Sequence, residues 1–146
     1  MIPRTVQGAR GLLVVTAAAH LVIPVVMWIR QDSLRGEIAR QHADFGSTAL
    51  DDSVHAALLA ATIFHALLLL LNLFLIWKLA TGKPWTRRLT TISQALSIVF
   101  SLVSWSTSVM FHAVIPVIVV LQLITIVLLW TASSRTFFQT RALAKV

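Results

Sequence analysis

This chain has 146 residues, of which 58% are hydrophobic and only 12% charged, against the ~25% charge of soluble domains. Its mean hydropathy is +0.86, and so much apolar surface cannot be hidden in a water-soluble core of this size; the bilayer is the expected solvent, and residues 1–146 leave no room for a separate soluble domain. The net charge of +7 does not point to nucleic acid, because the basic residues stand at the ends of apolar runs, where anionic headgroups account for them, and the absence of cysteine excludes disulfides, thiolate metal sites and cysteine nucleophiles.

The first apolar run covers residues 11–29, preceded by Arg4 and Arg10. Ala17-Ala18-Ala19 resembles a signal-peptide cleavage site, but the run continues from Val22 to Ile29, so a retained transmembrane helix is expected. Residues 30–53 form a loop holding every acid of the chain: Asp32, Glu37, Asp44, Asp51 and Asp52, against Arg30, Arg35 and Arg40. Within it Leu34, Ile38 and Phe45 recur at roughly helical spacing, which predicts a short amphipathic helix on the outer surface, with Gly46 as its end and Asp51, Asp52 or Ser53 capping the next helix.

The second run covers residues 54–79, and Gly82-Lys83-Pro84 breaks the chain after it. The third covers residues 89–110 and the fourth residues 113–131, with a minimal link around Phe111 to Ala113 and with Pro116 in a first helical turn, where proline is tolerated. Each run is long enough for a ~30 Å hydrocarbon core at ~1.5 Å per residue, and a helix is the open element that satisfies its own backbone in lipid. The expected fold is all-α: an antiparallel bundle of four transmembrane helices with a short amphipathic surface helix in the first outer loop.

Charge sets the expected orientation. Arg4 and Arg10, then Lys78, Lys83, Arg87 and Arg88, then Arg135, Arg141 and Lys145 lie in three segments without an acid, while the acidic loop alternates with them. Both termini are therefore expected in the cytoplasm of a multi-pass plasma-membrane protein. Nine arginines against three lysines, with abundant alanine, match the usage of a GC-rich bacterium and hence a bacterial inner membrane. Trp28, Trp77, Trp85, Trp105 and Trp130 fall at or near helix ends, as an interfacial aromatic belt requires.

Polar residues inside the runs are the most informative, since each is costly against lipid. His20 shares a face with Thr16, and His65 shares one with Asn72, Ala57 and Ala61. Ser93, Ser97, Ser101, Ser104 and Ser108 form one serine stripe, and Gln122 pairs in spacing with Thr125. Counted from the flanking basic residues, His20, His65, Ser97, Ser101 and Gln122 all lie ~13 to 20 Å deep, near the midplane. Interhelical packing is the first explanation for this polar belt, at ~0.6 kcal/mol per hydrogen bond and up to ~2. A ligand, ion or proton pathway through His20, His65, Asn72, Ser97, Ser101 and Gln122 is the second, and axial haem ligation by His20 and His65 the third. Leu68, Leu69, Val99 and Leu123 are expected to fill the narrow axis of such a bundle.

Near the outer surface, His42, His55 and His112 are expected beside Asp44, Asp51 and Asp52, a donor set suited to zinc or copper or to pH sensing. Their spacing matches no HxxxH or HExxH pattern, so a solvated polar surface is the simpler reading. No GxSxG, HExxH or phosphate-binding glycine loop occurs, and no cofactor is assigned. These observations favour a non-catalytic integral membrane protein, a binding or assembly subunit of a membrane complex, working in the bilayer as a homo-oligomer or with another membrane protein. The alternatives are a small oligomeric transporter or channel and a haem-binding redox carrier.

Overall fold

The computed structural model describes residues 1–143, so Lys145, counted among the basic flanking residues, and Val146 lie outside the described residues. The described residues form helices and turns, with no strand. In chain order the helices are α1 (Arg4–Ile29), α2 (Gln31–Gln41), α3 (Ser47–Leu79), α4 (Pro84–Thr107), α5 (Ile115–Trp130) and α6 (Ala132–Leu143). Of these, α1, α3 and α4 are each long and apolar enough to cross a membrane alone. A fourth crossing requires α5 and α6 to be counted together, because the chain bends by 58° between them. The chain is thus all-helical, with the several apolar helices of a multi-pass membrane protein.

Helix ends differ from the apolar runs, for reasons visible in the hydrogen bonds. The first helix begins at Arg4 rather than near residue 11, and Arg10 inside it donates from Nε to the Ile76 carbonyl at 2.8 Å. The start of α3 at Ser47 puts Asp51, Asp52 and Ser53 inside the helix and not at its cap, and the Ser53 hydroxyl bonds back to the Ala49 carbonyl at 2.7 Å. Helix α2 stops at Gln41, with His42 as its C-cap, so Phe45 and Gly46 lie beyond it. Between α3 and α4, Gly82 takes φ 69°, a left-handed conformation that glycine adopts without a Cβ penalty. Pro84 then opens α4, where its missing N–H removes no helical bond.

The chain divides into two compact units. Unit 1 comprises Met1–Ala17 and Leu71–Val146, and unit 2 comprises Ala18–Leu70. Within unit 1, Val6, Ala9, Leu13, Leu75, Leu79, Leu129, Phe137 and Phe138 form one buried apolar cluster. Gly8 faces α5 so closely that an added Cβ would lie 3.3 Å from Leu128 Cδ1. Helices α4 and α5 run antiparallel, since Thr91 bonds to Trp130 and Ser97 to Gln122, and α6 folds back onto both. Within unit 2, Trp28 Nε1 donates to Thr62 Oγ1 at 3.0 Å, joining α1 to α3, and Arg35 of α2 forms an ion pair with Asp51 of α3.

Val99 and Leu123 do not fill an axis: they are 55% and 49% exposed. The faces already used explain this. Ser97 and Gln122 point at each other, and at ~100° per residue Val99 is turned ~200° from Ser97 and Leu123 ~100° from Gln122.

Candidate functional site

In unit 2, α1 carries His20 and α3 carries His65, and the two rings meet directly. Their Nδ1 atoms are 3.0 Å apart and their ring centroids 5.2 Å apart. His20 is buried and His65 half-buried, with the Phe64 ring edge-on to it. A neutral imidazole carries one N–H, so one Nδ1 donates and the other accepts, and the two rings must hold opposite tautomers. The pair satisfies itself in apolar surroundings and links α1 to α3. It does not fit a bis-histidine haem, because nitrogens in hydrogen-bond contact leave no space for a porphyrin plane between the rings.

Unit 1 handles its buried polar groups with uncharged partners. Gln122 Nε2 on α5 donates to Ser97 Oγ on α4 at 2.6 Å. Gln94 Nε2 on α4 donates to Asn72 Oδ1 on α3 at 3.2 Å. The Oε1 atoms of both glutamines are buried without a hydrogen-bond partner among the described residues. Hydroxyls at Thr16, Thr90 and Thr125 bond back to carbonyls four residues earlier, which lets threonine sit in an apolar helix without a second partner. Ser101 is partly buried and takes part in neither amide pair.

His42, His55 and His112 each have an aromatic neighbour of their own. His42 stacks on Phe45 at 4.6 Å, His55 meets Trp28 edge-on at 5.8 Å, and His112 stacks on Trp105 at 4.5 Å while its Nε2 donates to the Trp105 carbonyl. Among the described residues no group of three or more histidine or acidic side chains is placed to hold a metal ion. A cleft of about 320 Å³ in unit 2 does lie against His55, with Asp32, Arg35 and Asp51 on its walls.

Two features escape the reading by spacing. Gln94 lies three residues before Ser97, hence on the same face, yet it falls outside the regular serine count. Arg87 is the other: its guanidinium lies over Trp130 at 4.3 Å, while Nε and Nη1 are buried without a partner among the described residues. Charge patterning showed that the segment is basic but not that this one arginine folds onto an indole. The chain matches no protein-family model, no curated protein and no solved structure at a significant level, so its reading rests on its own geometry.

Proposed function

We propose that the chain is a non-catalytic plasma-membrane protein that serves as a binding or assembly subunit, as a homo-oligomer or beside another membrane chain. One observation carries this reading: the serine stripe of α4 is divided. Ser93 and Ser97 are buried, and Ser97 is held by Gln122, whereas Ser101 is partly exposed and Ser104 exposed. Small residues let helices approach closely in lipid, so the outer half of the stripe is surface suited to a second helix. The termini lie in the cytoplasm in this reading, supported by nine basic and no acidic residues in the flanking segments and by five acids in the loop 30–53.

The deciding experiment is the mass of the purified protein in nanodiscs, with and without Ser101→Leu and Ser104→Leu. Ser97 is unsuitable as a target because its loss would strip Gln122 of its partner within the chain. The expected result is an assembly that the double substitution weakens while helix content is unchanged. A monomer with no co-purifying chain overturns the proposal. A reporter fused after Val146 is expected to be active only inside the cell.

The His20–His65 contact supports a second reading, passage of a proton or small ion through an oligomer. Its check is proton flux into vesicles carrying a pH-sensitive dye: flux that His65→Leu abolishes supports transport, and flux equal to empty vesicles rejects it.

A further inference from the structure

The most unusual charge in the molecule is Arg87. It is the fourth residue of α4, at the end of a candidate span. Its guanidinium lies 4.3 Å from the Trp130 ring centroid and 5.6 Å from that of Phe138, which is fully buried. The indole is pinned: Trp130 Nε1 donates to Thr91 Oγ1 at 2.9 Å, and that hydroxyl donates to the Arg87 carbonyl at 3.0 Å. A second guanidinium, Arg135 of α6, reaches the same indole at 5.8 Å. Two cations therefore converge on one aromatic ring.

No carboxylate side chain in this unit is there to neutralise them. Unit 1 contains no aspartate or glutamate anywhere in its sequence. Arg87 Nε and Nη1 are shut away without an acceptor among the described residues, while the residue as a whole is only partly buried. A guanidinium has five N–H donors, and cation–π contact offsets only part of the cost of bringing it next to a like charge in a partly dry site. An anion with several acceptor oxygens at the surface between α4 and α6 would offset both charges. The N-terminus of α4, which has no side-chain cap, turns the positive end of its helix dipole to the same side.

We propose that Arg87, Arg135 and Trp130 form a binding site for the phosphate of an anionic phospholipid. A phosphodiester offers the paired oxygens that a planar guanidinium fork engages, and a tryptophan at a span end lies where lipid phosphates are found. A lipid is favoured over a soluble phosphate compound because the site stands at the end of an apolar helix: Val127 and Leu123, three and seven residues before Trp130 and so on its face of α5, are exposed and suited to acyl chains.

The test uses the full chain in mild detergent, with native mass spectrometry reading bound lipid. Dioleoyl phosphatidylglycerol, dioleoyl phosphatidylcholine and inorganic phosphate are titrated separately and in competition. Phosphatidylglycerol is expected to bind at least about tenfold more tightly than phosphatidylcholine, and Arg135→Gln to weaken it by about tenfold, the loss of one charge-assisted contact. Arg87→Lys keeps the charge but not the stacked fork, and is expected to fall between wild type and Arg87→Gln. Lys83→Gln, which removes a nearby cation outside the site, is expected to change nothing. Arg135 is exposed, so its variant carries the test if Arg87→Gln loses its helix content. Equal binding of the two lipids overturns the proposal, as does an equal loss in Lys83→Gln, which would mean diffuse charge. Displacement of phosphatidylglycerol by inorganic phosphate overturns the lipid as the source, and retention of an acidic protein instead of lipid overturns the site's ligand class.

Discussion

The two compact units treat polarity in opposite ways. Unit 1 holds nine basic residues and no acid, and unit 2 holds three basic residues and all five acids, which together give the net +7. Four of the five histidines, at positions 20, 42, 55 and 65, also fall in unit 2. Packing is distributed the other way. The buried apolar cluster lies wholly in unit 1, whereas the buried hydrophobic residues of unit 2 are Val54 and Leu58. The buried polar residues of unit 1 are neutral amides and hydroxyls; those of unit 2 are Glu37 and His20, the latter hydrogen-bonded to the half-buried His65. One unit is built around a packed apolar cluster, and four of the five imidazoles are gathered in the other.

The strongest challenge to that contrast is truncation of the two cores. Phe138→Ala, at a fully buried position, is expected to destabilise the protein by about 3–5 kcal/mol, read from unfolding in mixed detergent micelles. Leu58→Ala in unit 2 is expected near the lower end of the usual Leu→Ala range, about 2 kcal/mol, because it has few buried apolar neighbours. Equal losses would dissolve the distinction. A sharper probe is His20→Leu, which strands His65 without its partner and is expected to cost about 1–3 kcal/mol. The double variant with His65→Leu should recover most of that loss, and a double loss equal to the sum of the single ones would show that the contact is not coupled. Gln122→Leu, the neutral counterpart in unit 1, is expected to cost about 0.6 kcal/mol and no more than ~2, since it also removes a buried carbonyl oxygen that has no donor. Smallest is Asp51→Asn. Its ion pair with Arg35 joins side chains that are 56% and 42% exposed, so about 0–1 kcal/mol is expected, shrinking further in salt.

Much of this architecture is legible in the sequence. A run of about 20 apolar residues is a strong signal because few other structures accommodate it, and residues 11–29, 54–79 and 89–110 each lie largely within a helix. Their ends were less legible. Helical hydrogen bonding carries α1 back through Thr5, Gln7 and Arg10 and α3 back through Asp51 and Asp52, where the apolar signal has stopped. Helix α6 was read only as a basic tail, because its polar composition hides the two phenylalanines that dock it: Phe137 and Phe138 are buried by tertiary contact, which no periodicity announces. For the candidate site, spacing identified the polar faces but not the partners. That His65 shares a face with Asn72 follows from a seven-residue interval, but which helix each meets depends on register and rotation between helices. His65 meets His20, and Asn72 meets the overlooked Gln94.

The bend after Trp130 has a consequence for where in a cell such a chain is comfortable. Helix α5 has 16 residues and rises only ~24 Å, whereas α3 has 33 residues and rises ~50 Å. A typical hydrocarbon core is ~30 Å thick, so α3 has length to spare while α5 falls short by ~6 Å. For α5 to cross without α6, the lipid beside it would have to thin to meet Ile115 and Trp130, at a fraction of a kcal/mol for each ångström of mismatch; otherwise the crossing needs α6 as well. Bilayers of short or unsaturated chains make that adjustment cheaply and sterol-rich, thicker ones do not, so membrane thickness itself becomes a sorting signal written into a single truncated helix.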